Sequence, residues 1–287
     1  MSRDSDFTSP IPAALTREQR AAFERDGLVR LEGIVPADLL AAAQAAVRRP
    51  LEAIGLWRDG TWRFETLPKP VWPDHGVKTA KTIGNKHPEL AALVEAPAIR
   101  AVVDELLEGR EIDRRIFPRP QVLFTLPNAD RWMITTGWHT DAPRLASRRP
   151  AGVQVFTFLD RVAPRGGGTL AVAGSHRLLN DGRFLTAKHV HRLLGREPFF
   201  RRLWTKRPVP WADDAELPSG AVDNLPLRVM ELTGAPGDAW LMDLRVLHNG
   251  APNAGERPRL MVTYRFVRRD VAREIAEGMG WVKPKQG

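Results

Sequence analysis

Gln121-Val-Leu-Phe-Thr-Leu126 marks a change of rhythm in this 287-residue chain. Before it, apolar residues recur at helical spacing; from it onward they alternate, sending successive side chains to opposite faces. Gln121–Leu126, Trp132–Trp138, Val153–Leu159, Gly168–Val172, Arg228–Leu232, Asp238–Met242 and Arg259–Val267 read as short strands separated by Gly, Pro and Asn turns. Helices followed by a run of such strands predict a mainly β (α+β) chain: a barrel or sandwich beneath an N-terminal helical cover.

Working outward, Thr16-Arg-Glu-Gln19 is a capping box, and the helix it opens turns Phe23 inward and stops at Asp26-Gly27. Leu28-Val-Arg-Leu31 alternates as a strand. Pro36 starts an Ala-rich helix running to about Ile54, with Leu39, Leu40, Ala43 and Val47 at helical spacing. Residues 56–75, holding Trp57, Trp62 and Trp72, read as an ordered loop. Pro97 opens another helix (Ile99, Val102, Val103, Leu106, Leu107) ended by Gly109. A basic stretch, 183–207, is inserted between strands and reads as helical, with an acidic loop (Asp213, Asp214, Glu216, Asp223) after it. With no repeat, low-complexity tract or linker, one domain over 1–287 is expected: residues 1–110 mainly helical, 111–268 the β core, and an insertion at about 177–227.

Composition narrows the chemistry. A hydrophobic content of 43% argues against disorder. The chain has no Cys, which excludes a disulfide scaffold, a thiolate zinc site, an iron–sulfur cluster and a cysteine nucleophile. Any bound metal must therefore be held by His and carboxylates. No apolar run approaches the roughly 20 residues that span a bilayer, and Met1–Pro12 lacks the apolar centre of a secretory signal, so a cytoplasmic protein without a membrane partner is expected. The net charge of +9 is local: Arg183, Lys188, Arg192, Arg196, Arg201, Arg202, Lys206 and Arg207 stand against Glu197 alone. The abundance of Arg, Ala and Pro also fits the coding bias of a GC-rich genome, so the basicity does not by itself favour a nucleic-acid partner.

The His residues fall at 75, 87, 139, 176, 189, 191 and 248. Two lie where strands end. In Trp138-His-Thr-Asp141, residues two apart share a face, which puts an imidazole beside a carboxylate. His248 closes Asp243-Leu-Arg-Val-Leu-His248. His139, Asp141 and His248 could form a two-His, one-carboxylate facial triad, which leaves positions open on Fe(II) for a co-substrate and oxygen. Taken alone, the same residues also fit surface or core-satisfied histidines.

The ordered set of motifs adds to this. His139-Thr-Asp141, Gly167-Gly-Thr-Leu-Ala-Val-Ala-Gly-Ser-His176, Gly237-Asp-Ala-Trp-Leu-Met-Asp243, and then His248, Asn253 and Arg259 follow in sequence. From His139 onward the chain resembles the phytanoyl-CoA dioxygenase family of Fe(II)/2-oxoglutarate oxygenases, and Leu15-Thr-Arg-Glu-Gln19 through Pro36 looks like that family's opening. The resemblance runs from about 15 to 268 and is weakest over 50–115 and 176–227.

It implies a double-stranded β-helix (a jelly-roll, cupin-like barrel) with His139, Asp141 and His248 holding Fe(II) at its mouth. Arg259, eleven residues past His248, would pair with the distal carboxylate of 2-oxoglutarate, since a planar guanidinium grips a carboxylate bidentately. Arg257 competes for that role, but Arg257-Pro258 reads as loop whereas Arg259 opens the alternating strand. The family often has a hydroxyl residue two after the distal His; here that position is Gly250, so Gln121 or Thr157 is the expected substitute. The implied reaction couples decarboxylation of 2-oxoglutarate by O2, giving succinate and CO2, to oxidation of a substrate C–H bond. Relatives that halogenate keep the carboxylate position small, so Asp141 implies hydroxylation or another oxidative outcome.

The expected substrate is a small molecule: a natural-product intermediate, an amino acid or an acyl derivative, and an anionic one if the 183–207 element is a lid or entrance. The rival for that element is a plain solvated face. His176 is read as a turn-stabilising residue, His189 and His191 as surface residues, and Trp138 and Trp240 as either core or active-site wall. Two other functions compete: a non-catalytic ligand-binding β-helix, against which the triad and Arg259 speak, and an oxygenase acting on protein or nucleic acid. For the latter, only Phe199, Phe200 and Trp204 offer stacking aromatics within the basic stretch.

Overall fold

The structure, a computed structural model, describes residues 14–63, 87–127, 132–134, 137–142, 149–178, 192, 194–203, 209–211, 216–278, 280 and 282. The capping box forms as the sequence dictates. Thr16 Oγ1 accepts from the Gln19 amide at 3.2 Å and Gln19 Oε1 from the Thr16 amide at 2.8 Å, opening α1 (Arg17–Asp26). Gly27 ends it at φ 73°, and a Cβ there would meet His176 Nδ1 at 2.6 Å, so only glycine suits both the turn and the contact.

Chain order continues through β1 (Leu28–Leu31), α2 (Ala37–Ala53), β2 (Trp57–Arg58), β3 (Thr61–Trp62), α3 (Pro88–Val94) and α4 (Pro97–Leu106). The β2–β3 hairpin occupies part of the expected 56–75 loop; residues 64–75 lie outside the described residues. Helix α3 is unanticipated, because seven residues give too few turns for a periodic signal; Leu90, Leu93 and Val94 bury its inner side.

The strands are β4 (Ile112–Asp113), β5 (Gln121–Thr125), β6 (Met133–Ile134), β7 (Gly152–Phe158), β8 (Thr169–Ala173), β9 (Val209–Pro210), β10 (Ser219–Val222), β11 (Leu225–Glu231), β12 (Ala239–Asp243), β13 (His248–Gly250) and β14 (Arg259–Arg268). Short helices α5 (Ser175–Leu178), α6 (Pro198–Leu203) and α7 (Ala272–Gly278), with a 3-10 turn at Arg269–Val271, complete the described elements. Among the described residues of the expected strand Trp132–Trp138, the ladder pairing covers β6, and Gly137 takes φ 103° just before Trp138. Asp223, read as part of an acidic loop, instead makes the β10–β11 hairpin turn with Asn224: both take positive φ (48° and 62°), as a two-residue hairpin connection demands.

Two sheets face each other. The larger runs β1-β12-β7-β14-β4 with β5 also paired to β14; the smaller runs β10-β11-β8-β13. All of these pairings are antiparallel. Between them lie Phe156, Phe158, Met242 and Met261 from one sheet and Ala171 and Ala173 from the other. Alternation turns Val153, Val155, Leu241 and Val262 to the opposite face of the larger sheet, where they pack under Val47, Leu51, Leu93, Ile99 and Val103 of the helical layer. The smaller sheet covers its outer face with Trp132, Trp138, Phe200 and Leu203. The arrangement is a jelly-roll type fold under a helical cover. No helix among the described residues is long and apolar enough to cross a membrane.

Candidate metal centre and co-substrate pocket

The two metal-ligand segments are tied together by backbone. His139 and His248 form an antiparallel bridge, exchanging N–H···O bonds of 3.0 and 2.9 Å. The amides of Asp141 and Ala142 both donate to Leu244 O, at 2.9 and 3.1 Å. His139, Asp141 and His248 thereby each present one ligand atom, all within 4.8 Å of one another.

Each imidazole is oriented by its second nitrogen. His139 Nδ1 lies 2.9 Å from Gly137 O and His248 Nδ1 3.0 Å from Val246 O. A carbonyl can only accept, so both rings carry the proton on Nδ1 and leave Nε2 free for a metal. His248 and Asp141 are buried and His139 is exposed, so the cluster opens to solvent on one side. Burial lowers the His248 pKa to about 4 despite the neighbouring Asp141 carboxylate, which keeps the ring neutral and ligating. Burial alone would raise Asp141, but His248 and Arg265 outweigh it and hold the carboxyl below its ordinary range. Two imidazoles and one carboxylate suit Fe(II) with open positions.

Arg265, which sequence reading missed, completes this wall. Its Nε donates to Asp141 Oδ2 at 2.6 Å, its Nη1 to Gln121 Oε1 at 3.2 Å, and its guanidinium lies 4.9 Å from the centre of the Phe117 ring. In the orientation that pairs both ends of its amide, Gln154 donates to Asp141 Oδ2 at 2.8 Å and accepts from Arg265 Nη2 at 3.2 Å. Parity could have found Arg265: Arg259, Met261, Thr263 and Arg265 share one face of β14, and an arginine among alternating apolar residues needs a partner there.

Arg259 is buried on that same inner face. It donates from Nη1 to Gly167 O and from Nη2 to Thr125 Oγ1, both at 2.6 Å, while Nε has no partner among the described residues. Burial lowers its pKa to about 10, opposed by Glu231, so it stays cationic at neutral pH. A buried guanidinium with a donor still to satisfy fits a carboxylate-bearing co-substrate. Asn253 braces the approach to β14, donating to Thr125 O at 3.2 Å and Arg257 O at 2.7 Å. Arg257 instead lines a separate cavity of about 280 Å³ with Trp57, Trp62 and Asp160.

The two expected hydroxyl substitutes fall differently. Gln121 lies at the metal centre's edge, engaged by Arg265. Thr157 shares a face of β7 with Val153 and Val155, packed toward the helical layer, and its hydroxyl donates to Val262 O at 3.3 Å. The structure does not bring it to the pocket. His176 is buried, its Nε2 3.2 Å from Glu24 O, in keeping with a structural role. Trp138 belongs to the outer core of the smaller sheet, and Trp240 packs at the inner core. His75, His189, His191 and most of 183–207 lie outside the described residues; Arg192 and Arg201 are exposed.

A jelly-roll type fold carrying a His-Asp-His cluster and a buried inner-face arginine defines the class as a 2-oxoglutarate-dependent oxygenase that uses iron. The chain belongs to the phytanoyl-CoA dioxygenase (PhyH) family, whose profile it matches over residues 23–261. Among solved structures it is similar to EctD from S. alaskensis with 2-oxoglutarate and 5-hydroxyectoine (20% identity, TM-score 0.56, covering 90% of this chain and 78% of that one). It is also similar to the non-heme alpha ketoglutarate dependent carbocyclase SnoK from nogalamycin biosynthesis (18% identity, TM-score 0.55, 96% and 95%). A third is the epimerase SnoN from the same biosynthesis (16% identity, TM-score 0.52, 88% and 80%). At these identities the likeness is one of fold. No curated protein sequence matches the chain.

Proposed function

We propose that this protein hydroxylates an unactivated C–H bond of a small molecule, with His139, Asp141 and His248 holding Fe(II) and Arg259 holding the distal carboxylate of 2-oxoglutarate. The observation that carries the reading is the ligand cluster itself, with both Nδ1 atoms committed to backbone carbonyls and Nε2 free beside Asp141. The bound iron and 2-oxoglutarate supply the oxidising chemistry; the chain's residues fix ligand geometry, grip the co-substrate and exclude water. The presence of Asp141 favours hydroxylation over halide transfer. The test is mass spectrometry of a metabolite extract incubated with protein, Fe(II), 2-oxoglutarate and O2. Hydroxylation adds one oxygen to a substrate; loss of two hydrogens, or a rearrangement without mass change as an epimerase gives, would replace it with another oxidative outcome.

The substrate is further proposed to be anionic, drawn by the basic 183–207 element, of which Arg192 and Arg201 are exposed. Arg192→Gln with Arg201→Gln should raise the substrate KM and flatten its salt dependence; an unchanged KM would leave that element a solvated face.

A further inference from the structure

One peptide unit aims the His248 ring. His248 Nδ1 donates to Val246 O at 3.0 Å, and the Leu247 amide donates to Ser175 Oγ at 2.9 Å. Val246 C=O and Leu247 N–H belong to the same planar peptide and point in opposite directions, so fixing the N–H fixes the carbonyl. Ser175, the first residue of α5, therefore stands at the far end of a chain that runs hydroxyl, peptide, imidazole.

The turn from β12 to β13 holds its other amides differently. Arg245 N donates to Asp243 Oδ1 and Val246 N to Asp243 O, both at 2.9 Å, while His248 N joins the bridge to His139. Of these four amides, Leu247's is the one taken by a side chain from another element. Leu247 O accepts from Val172 N at 2.8 Å, so the next peptide plane is set as well. Ser175 and Leu247 are both buried, so the bond is sheltered from water, and losing the hydroxyl would leave a buried amide unpaired. Ser175 is delivered by its neighbour. Gly174 takes φ 86°, and a Cβ there would meet Pro226 O at 2.6 Å, so glycine turns the chain out of β8 and into α5.

We infer that Ser175 is a positioning residue for the metal ligand His248: by accepting the Leu247 amide it sets the peptide plane whose carbonyl holds Nδ1–H, and so aims Nε2 at the metal position. This rests on the reading of His139, Asp141 and His248 as the metal centre. The effect is electronic as well as geometric. Hydrogen bonds in series polarise one another, so an acceptor on the Leu247 amide makes Val246 O a better acceptor for Nδ1–H, and the imidazole a better donor to a metal. Without the hydroxyl, the Val246–Leu247 peptide is free to tip toward another acceptor, and the ring loses its fixed tautomer.

The experiment compares wild type with Ser175→Ala by two measurements. Long-range proton–nitrogen NMR of the metal-free protein reads the His248 tautomer, its signals identified by their loss in His248→Ala. Competition with a chelating dye reads Co(II) affinity. Wild type should show the Nδ1–H tautomer; Ser175→Ala should show a mixture of tautomers and bind Co(II) about tenfold more weakly. Val222→Ala, which removes packing from the same sheet without touching the chain of bonds, should lower Tm and leave both readouts at wild type. A wild-type tautomer and Co(II) affinity in Ser175→Ala would overturn the role of Ser175 alone, as would an equal loss of affinity in Val222→Ala. Absence of Co(II) binding by the wild-type protein would overturn it together with the reading on which it rests.

Discussion

Arg265 Nε lies 2.6 Å from Asp141 Oδ2, so the carboxylate of the facial cluster is held by a cation from β14, an interior strand of the larger sheet. Gln121 Oε1 and the Phe117 ring fix that guanidinium in turn, which makes the ligand carboxylate one member of a braced set rather than a free side chain. Partners that orient a metal ligand contribute strongly to affinity.

Arg265→Met should therefore weaken Fe(II) or Ni(II) binding by about 10–100-fold with the fold retained, measured by competition with a chelating dye and by circular dichroism. Arg265→Lys keeps the charge but loses the planar fork, and should fall between the two. Wild-type affinity in both variants would mean that Asp141 is positioned by its backbone bond to Leu244 and by Gln154, without Arg265.

Arg259 and Arg257 are separated by the same measurement. Arg259→Lys should raise the 2-oxoglutarate KM by about 10–100-fold, because an ammonium cannot reproduce the bonds to Gly167 and Thr125 while also gripping a carboxylate. Arg257→Lys, altering a residue that lines the cavity with Trp57 and Trp62, should leave that KM within about twofold. A reversal of the two effects would move the co-substrate to the other arginine.

Asp243 and Arg245 form a buried bidentate pair, with Nε 2.9 Å from Oδ1 and Nη2 2.6 Å from Oδ2, in the turn that leads to His248. Burial alone would raise the Asp243 carboxyl, but Arg245 outweighs it and holds the group below its ordinary 3.8. A folded pKa lower than the unfolded one means that the pair's stabilisation is present above about pH 4 and is lost as pH falls through the folded value. Asp243→Asn should cost about 3–5 kcal/mol at pH 7, because it leaves Arg245 a buried charge without its partner. Thermal unfolding should show Tm lower by about 10 °C and a shallower acid limb than wild type. An acid limb of unchanged steepness would place the acid sensitivity elsewhere.

Much of this is legible in the sequence. The capping box at Thr16, the strand Leu28–Leu31 and the long strand from Arg259 follow from local rules that tertiary packing did not overrule. What escaped was short or depended on pairing. A three-residue strand such as His248–Gly250 has too few residues to alternate, and Asp223-Asn224 looks like loop until both are seen in the left-handed region. Thr157 offers a hydroxyl in the sequence, but a residue's face is set by ladder parity, which turns it toward the helical layer. Arg265 sits on the inner face for the same reason, and only the register brings it to Asp141. The substrate-facing side stays the least readable, because it depends on which insertion meets which strand end.

The most direct test of the account is succinate release from 2-oxoglutarate with Fe(II) and O2, comparing wild type with His139→Ala, Asp141→Ala and His248→Ala. The account predicts Fe(II)-dependent succinate from the wild-type protein and at least about a hundredfold less from each variant, with circular dichroism spectra unchanged. Wild-type rates in any of the three variants would contradict the assignment of the metal centre.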